Sequence, residues 1–377
     1  MNVGAATPGS TDVERLRSPW TPSRAEFEEL LDGEPRYRID QLWHGLYTEG
    51  VEPTELTTLP KKLRAVLDRQ VRPALDLAAT RSAEDGGTVK WLWDLGDDVS
   101  IETVLMHYPG RSTVCISSQA GCAMRCGFCS TGQGGYQRNL EVGEILEQVV
   151  RARAEAAPRR LSNIVFMGMG EPFANYHRVL ESIGRLTTDF GIGARHITVS
   201  TIGLVPQIRR FAAEGLQVGL AVSLHAANDD KRSELIPINR RHPIETLTEA
   251  CHEYRSLTGR RVTFEWAMID GVNDLDDDAH ELAAISRAAA AHVNLIPLNP
   301  TPGYPTVGTP VDRIKRFRRL LEDLGVNATV RANRGTDIDA ACGQLRASTI
   351  STAPSTPVAM QPRRPAAGAG GGTDTAG

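Results

Sequence analysis

The sequence predicts an α/β fold in which parallel strands and helices alternate after a small helical region. Short apolar, β-branched segments alternate with helical stretches between about residues 111 and 330, and strands connected through helices run parallel to one another. Glycine-rich, cysteine-containing or acidic turns follow several of these segments, at the strand ends where ligands of such sheets bind. Roughly six repeats fit a partial (β/α)6 barrel better than a complete barrel of eight units.

The first part of the chain carries helical rather than strand patterns. Residues 1–20 are rich in glycine, serine, threonine and proline, which predicts a disordered leader. Within residues 21–87, Ser23 has the residue type of an N-cap before "RAEFEELL", "RIDQLWHGLY" places apolar residues at helical spacing, and "KKLRAVLDRQ" follows a proline. These signals predict a small helical accessory domain.

The predicted core domain covers residues 88–347 and opens with a hairpin. The segments "TVKWLWDL" and "SIETVLMHY" alternate in the manner of paired strands. Predicted repeat strands follow in "STVCISS", "SNIVFMGM", "HITVSTI", "LQVGLAVSLH", "RVTFEWAMID", "HVNLIPLN" and "NATVRA", with predicted helices over about 141–156, 174–188, 205–214, 243–258, 276–290 and 310–324. Residues 348–377 are rich in proline, alanine and glycine, which predicts a disordered tail.

Charge and targeting signals narrow the class of protein. The 377 residues carry 42 basic and 46 acidic side chains, which argues against a protein that coats nucleic acid through bulk charge. Adjacent basic pairs such as Arg159–Arg160, Arg209–Arg210 and Lys231–Arg232 are either solvated helix faces or, if several converge, an RNA-facing patch. The opening residues lack a secretory signal and "LAAISRAAAAHVNLIPL" is interrupted by Arg287. We therefore expect a cytoplasmic protein without a membrane partner.

Three of the six cysteines lie within eight residues, in "GCAMRCGFC". In a reducing compartment such a group is a metal or catalytic site rather than a disulfide framework. Three thiolates from Cys122, Cys126 and Cys129 suit an iron–sulfur centre that keeps one iron open. Structural zinc prefers four ligands in spaced pairs, but no second C-x-x-C follows and His107 is the only nearby histidine. Zinc and a metal-free redox trio remain alternatives.

The spacing C-x₃-C-x-aromatic-C, with Phe128 as the aromatic residue, on a βα-repeat barrel resembles the radical S-adenosylmethionine (SAM) superfamily. "CISSQAGCAMRCGFCSTGQGGYQRNL", "MGMGEP", "TVSTIGLVP", "SLHAANDDKRSELIPIN", "NLIPLNP" and "RGTDIDAACGQL" together resemble the family that methylates C2 of adenosine in 23S rRNA and in certain tRNAs, in the latter at the adenosine next to the anticodon. The resemblance covers about residues 100–346, and only Ala227 departs from the pattern, where proline is more usual. It implies a partial, TIM-like (β/α)6 radical SAM barrel.

The resemblance also implies the residues that bind the cofactors. Cys122, Cys126 and Cys129 would hold a [4Fe–4S] cluster whose fourth iron binds SAM. The residues expected to bind SAM are Gly170, Glu171, Ser200, Ser223, Leu224, His225 and Asn299. Within this set, Glu171 would face the amino group, because a carboxylate suits a cation.

Three further residues carry the chemistry that the resemblance implies. Cys342 would take a methyl group from one SAM, and a radical generated from a second SAM would remove hydrogen from that methyl, so that the resulting carbon radical adds to C2. Glu102 would accept the C2 proton, and Cys115 would release the base by forming a transient disulfide with Cys342. Without the resemblance, the two cysteines would be interpreted as packing residues and Glu102 as an exposed carboxylate. Cys251 matches no functional position.

Partners follow from the same resemblance. They are 23S rRNA, tRNA and a reducing electron donor such as flavodoxin or ferredoxin, and we expect a monomer. The N-terminal helices would help to bind RNA through Lys61, Lys62, Arg64 and Arg69. The alternatives are a methyltransferase of adenosine C8 of the antibiotic-resistance type, an RNA-binding iron–sulfur protein without turnover, and a radical enzyme that acts on a protein.

Overall fold

A computed structural model of the protein describes residues 17–96, 98–298 and 307–331. Its N-terminal helices are α1 (Arg24–Leu30), α2 (Tyr37–His44), which continues as a π-helical turn (Gly45–Glu49), and α3 (Lys61–Leu67). Helix α1 begins at a capping box in which Ser23 accepts from the backbone of Glu26 at 3.2 Å and donates its own N–H to the Glu26 carboxylate at 2.7 Å. The predicted N-cap is therefore confirmed.

The strands of the described segments form one ten-stranded sheet and one small two-stranded sheet. In chain order they are β1 (Asp76–Ser82), β2 (Thr88–Asp94), β3 (Ser100–Tyr108), β4 (Arg111–Cys115), β5 (Gln119–Gly121), β6 (Tyr136–Asn139), β7 (Leu161–Phe166), β8 (Ile197–Thr201), β9 (Gly219–Ser223), β10 (Val262–Met268), β11 (His292–Pro297) and β12 (Ala328–Val330). The large sheet has the order β1-β2-β3-β4-β7-β8-β9-β10-β11-β12, and β5 pairs with β6.

Helices connect the parallel half of the sheet. Strands β1 to β4 pair antiparallel, whereas β4, β7 and all later neighbours pair in parallel. The remaining helices are α4 (Ser130–Gln133), α5 (Val142–Ala156), α6 (Tyr176–Thr188), α7 (Val205–Ala213), α8 (Asp229–Leu235), α9 (Ile244–Thr258), α10 (Asp276–Ala289) and α11 (Val311–Asp323). This is the partial (β/α)6 barrel that the sequence predicts, and the predicted hairpin is the β2–β3 pair.

The N-terminal helices pack directly on the barrel. The Arg185 guanidinium on α6 donates to the carbonyl oxygens of Trp20 and Pro22 at 2.9 and 3.0 Å. The buried carboxylate of Glu147 on α5 accepts from Ser18 Oγ at 3.0 Å and from the backbone of Ala74 at 2.9 Å. One continuous hydrophobic core contains side chains from α1, α2, α3 and the barrel strands. The helical region is thus held to the barrel by a shared core as well as by hydrogen bonds.

Two details of the predicted organisation differ in the structure. Trp20, which the sequence analysis assigns to the leader, is fully buried and donates its indole N–H to the carbonyl of Leu46 at 3.2 Å. Residues 76–82, assigned to the helical domain, form strand β1 of the sheet. Most side chains of β1 are exposed on both faces, so its sequence lacks the alternation that reveals a strand. The division into two domains at residue 87 stays a prediction.

Crossing a bilayer as a helix requires about 20 consecutive, mostly apolar residues. None of the helices in the described part of the chain is long and apolar enough to do so. The predicted tail, residues 348–377, and most of the predicted leader lie outside the described residues.

Candidate active site

The three clustered cysteines lie on the loop between β5 and α4. Cys122 and Cys126 are buried and Cys129 is half-buried. Gly121, at φ +73°, begins the loop, and a Cβ there would lie 1.9 Å from the carbonyl oxygen of Gly135. Cys122 donates its N–H to that same carbonyl at 2.8 Å. The close approach therefore requires glycine at position 121 and fixes the first cysteine of the loop.

The thiols of this loop interact electrostatically. Burial raises the pKa of Cys122 to about 12, and the nearby Cys129 adds to the rise. Burial also raises the pKa of Cys126, with Cys129 and Cys122 adding to it. Three thiolates so close together are unfavourable without a positive partner. A bound metal centre supplies positive charge, and its thiol ligands therefore bind in the deprotonated form. The donor set therefore fits an iron–sulfur cluster.

Two further observations bear on that fit. The buried hydroxyls of Ser118, before β5, and Thr131, after the third cysteine, have no hydrogen-bond partner among the described atoms, and such groups usually indicate an additional partner. No set of three or more His, Cys, Asp or Glu side chains in residues 17–96, 98–298 and 307–331 is arranged to hold a single metal ion. A cubane differs from that case, because its ligands bind separate iron corners.

The "GMGEP" segment follows β7 and lies against the cysteine loop. Gly170 has φ +100°, and a Cβ there would lie 2.5 Å from Cβ of Gln119 on β5. Glu171 is buried, and its carboxylate accepts backbone N–H groups of Phe173 at 3.0 Å and Ile202 at 2.8 Å. Burial raises the pKa of Glu171 to about 7, although these hydrogen bonds oppose the rise. Glu171 thus holds the loop in place in addition to any contact with a ligand.

The other predicted pocket residues lie at the ends of β8 and β9. Ser200 and Ser223 are half-buried, and Leu224 is fully buried. The Arg232 guanidinium on α8 is itself fully buried and donates to the carbonyl oxygens of Leu224 at 3.1 Å and Ile202 at 2.7 Å. This arginine therefore ties together the carboxyl ends of two neighbouring strands. Asn299 lies outside the described residues.

His225 connects the pocket with the cysteine loop. It has φ +56°, and its Nδ1 accepts the backbone N–H of Ala267 at 2.9 Å. Its ring and that of Phe128, the aromatic residue of the cysteine motif, are arranged edge to face with ring centroids 4.8 Å apart. Burial lowers the pKa of His225 to about 3, so the ring is neutral at physiological pH. The imidazole is held in place by the hydrogen bond to Ala267 and the contact with Phe128.

Glu102 and Cys115 lie on one face of the sheet. Cys115 ends β4 opposite Val104 on β3, and Glu102 stands two residues before Val104. Because side chains alternate along a strand, positions two apart share a face. Both side chains are almost fully buried, with 1% and 3% exposed. The structure therefore brings together two of the three residues predicted to act on the substrate, and Cys342 lies outside the described residues.

Comparison with known proteins identifies the family. Residues 116–283 match the radical SAM superfamily. The chain is 50% identical over 330 residues to a probable dual-specificity RNA methyltransferase RlmN of Frankia casuarinae, covering 84% of this chain and 78% of that protein. The protein of the same name from Halalkalibacterium halodurans is 46% identical over 332 residues, covering 85% and 92%. This chain belongs to the radical SAM family of dual-specificity RNA methyltransferases.

A solved structure of a radical SAM methyltransferase, from Sphaerobacter thermophilus, agrees with this assignment. It has a TM-score of 0.84 and 51% sequence identity, covering 87% of this chain and 98% of that one. Proteins of this superfamily use a [4Fe–4S] cluster together with SAM, as the sequence analysis expects. The individual ligand and pocket residues stay predictions, and their placement around one end of the sheet is consistent with those roles.

Two buried cations of this radical SAM methyltransferase are not apparent from its sequence. Lys231 and Arg232 form one of the basic pairs that could face RNA, but Arg232 is buried beneath the ends of β8 and β9 and Lys231 binds Asp278 at 2.6 Å. Lys90 on β2 is also fully buried and lies 3.0 Å from the Glu102 carboxylate. The sequence carries one signal for this pair, the lysine between apolar residues in "TVKWLWDL". A lysine buried in a strand requires a charged or polar partner.

Proposed function

We propose that this protein methylates C2 of adenosine in 23S rRNA and in tRNA. The relatives named dual-specificity RNA methyltransferases support an RNA substrate. The observation that carries the chemistry is the shared position of Glu102 and Cys115 on one face of the sheet, beside the strand ends that carry the cysteine loop. A carboxylate and a thiol in that position fit a reaction that removes a proton and then resolves a sulfur-linked adduct.

Each residue of the site has a role in this proposal. When bound, the cluster and SAM supply a 5′-deoxyadenosyl radical. Cys122, Cys126 and Cys129 hold the cluster, and the pocket residues between Gly170 and Asn299 orient SAM. Glu102 accepts the C2 proton of the adenine, which is linked through a methylene group to the Cys342 sulfur. Cys115 then loses its S–H proton and attacks the Cys342 sulfur. The bond from that sulfur to the methylene carbon breaks, the carbon takes up a proton to become the methyl group, and the transient disulfide forms.

The N-terminal helices supply part of the RNA interface in this proposal. Lys61 and Lys62 are exposed at the start of α3, and Arg69 is exposed just after it. Arg64, in contrast, donates to the carbonyl of Thr54 at 2.9 Å, which indicates a structural role. Deleting these helices would open the shared core, so charge reversal is the cleaner perturbation.

The charge-reversal test compares Lys61→Glu/Lys62→Glu with the wild type. We expect weaker binding of tRNA and a smaller dependence of log Kd on log salt, by about one for each phosphate that the double variant no longer neutralises. The matched control is Lys315→Glu on α11, whose ammonium lies 3.7 Å from Asp312. Equal salt dependence in the double variant and the wild type would exclude α3 from the RNA interface.

The remaining partners belong to the same proposal. An external donor such as flavodoxin or ferredoxin supplies the electrons, and the enzyme works as a cytoplasmic monomer. The decisive experiment incubates the reconstituted enzyme with methyl-labelled SAM, a reductant and unmodified rRNA or tRNA without oxygen. Chromatography and mass analysis of the nucleosides should show 2-methyladenosine. Exclusive formation of 8-methyladenosine would assign the C8 reaction, and the absence of 5′-deoxyadenosine would remove the radical mechanism.

A further inference from the structure

A buried ion pair lies on the sheet beside the proposed proton acceptor. Lys90 Nζ is 3.0 Å from Glu102 Oε2, and the two side chains are 0% and 1% exposed. We propose that Lys90 is a positioning residue that holds the Glu102 carboxylate, through this ion pair, in the orientation needed for removal of the C2 proton. This inference rests on the proposed function, because it concerns the step in which Glu102 acts.

The register of three strands brings Lys90 to the catalytic face. Lys90 on β2 is opposite Val104 on β3, and Val104 is opposite Cys115 on β4. Residues directly opposite one another in adjacent strands point to the same face, and Glu102, two residues before Val104, shares that face as well. Lys90, Glu102 and Cys115 therefore occupy one small area of the sheet.

On the Cys115 side, this area adjoins an apolar cluster. Cys115 packs with Val104 and Met106, and the half-buried side chains of Val165 and Met167 pack against them. Removing a lysine and a glutamate from water is costly, and a well-packed pair of apolar residues would often stabilise a sheet equally well. A purely structural role therefore explains the ion pair poorly, whereas a role for the carboxylate explains why it is retained.

The chemistry of the step assigns a use to the lysine. In the proposed reaction a carbon radical has already added to C2, so the adduct carries one unpaired electron. The C2–H bond breaks, the proton moves to a Glu102 oxygen, the bonding electron pair stays on the adenine ring, and the one surplus electron would return to the redox centre that supplied it. Proton removal requires that the accepting carboxylate oxygen be held in a fixed position relative to C2. The Lys90 ammonium binds Oε2 and so fixes the orientation of the carboxylate. Lys90 thus acts through Glu102 and does not need to touch the RNA.

The test uses three variants of the reconstituted enzyme: Lys90→Met, Glu102→Gln and the combination of both. We expect each to keep forming 5′-deoxyadenosine and to methylate Cys342. Each should yield at least tenfold less 2-methyladenosine than the wild type and accumulate a covalent protein–RNA adduct, visible on a denaturing gel. The double variant should yield no less product than Glu102→Gln alone, since Lys90 acts only through Glu102. Lys90→Arg, which keeps the charge, should recover part of the yield.

Stability provides a readout that does not depend on turnover. Lys90→Met removes the ion pair of a buried carboxylate and should lower the melting temperature, and adding Glu102→Gln should restore much of the loss. If Lys90→Met does not fold, the product yields of Glu102→Gln and of the double variant still show whether Lys90 acts through Glu102. A double variant at least tenfold less active than Glu102→Gln would show that Lys90 acts elsewhere.

Other outcomes would also overturn the inference. A wild-type yield of 2-methyladenosine from Lys90→Met would overturn it. A parallel loss of 5′-deoxyadenosine and 2-methyladenosine in Lys90→Met would overturn it as well, because it would indicate a general structural role. Failure of the proposed function is distinguishable, because it appears in the wild type. A wild-type enzyme that cleaves SAM and binds RNA but makes no 2-methyladenosine would refute both proposals together.

Discussion

Replacing Glu171 with glutamine should remove a specific dependence of folding stability on pH. The pKa of Glu171 is raised by burial from 4.5 to about 7. Between these pH values the folded protein keeps the proton that the unfolded chain has released, so this group's contribution to the free energy of unfolding falls as pH rises. At 1.36 kcal/mol per pKa unit the rise corresponds to about 3 kcal/mol. The contribution is complete below pH 4.5 and is lost as pH rises through 7.

The glutamine variant isolates this effect because its amide does not titrate. The amide also places an N–H₂ group near one of the two backbone donors, Phe173 or Ile202, that the carboxylate satisfies. An unsatisfied buried donor costs about 1–3 kcal/mol, and this cost is the same at every pH. The stability of the wild type minus that of Glu171→Gln should therefore decrease by about 3 kcal/mol between pH 4 and pH 8.

Urea denaturation of both proteins across this pH range measures the difference, with m-values compared to check that the transitions are equivalent. Glu249→Gln is the control, since the Glu249 side chain is 57% exposed and remains in contact with water in both states. A difference that is constant with pH, or that grows as pH rises, would refute the reasoning. A constant difference would mean that the pKa of Glu171 is the same in both states, and a growing one that its hydrogen bonds to Phe173 and Ile202 outweigh the effect of burial.

Two further predictions concern the loops around the cluster site. Gly170→Ala should lower the melting temperature and weaken SAM binding, because residue 170 has φ +100° and its new Cβ would lie 2.5 Å from Gln119. The control is Gly184→Ala on α6, where a Cβ meets no atom within 4 Å, and it should be neutral or stabilising by about 1 kcal/mol. Equal melting temperatures and equal SAM affinities of the two variants would contradict this prediction. Cys126→Ala should lose most of the bound iron and sulfide after anaerobic reconstitution, while Cys251→Ala, at a more deeply buried thiol on α9, should retain both. Full iron content in the Cys126 variant would remove that residue from the ligand set.

The sequence by itself predicted the alternating strands and helices of the barrel and the strand ends at which the candidate site lies, but not β1, β5, β6, α4 or α8. Strand and helix periodicities are local properties, so the repeats from "STVCISS" to "NATVRA" were predicted close to their observed bounds. The cysteine loop and "GMGEP" fall at strand ends because parallel connection places every such loop on one edge. Strand β1 was missed because an exposed edge strand shows no alternation.

Only the tertiary structure decided which distant side chains meet. Lys90 and Glu102 are paired because β2 and β3 have one particular register, and a slip by one residue would place them on opposite faces. Arg232 looked like half of a surface pair, yet its hydrogen bonds to the ends of β8 and β9 keep it fully buried. Trp20 looked like part of a leader, but the shared core buries it. Burial and charge pairing depend on contacts between segments remote in the chain, and no local pattern encodes those contacts.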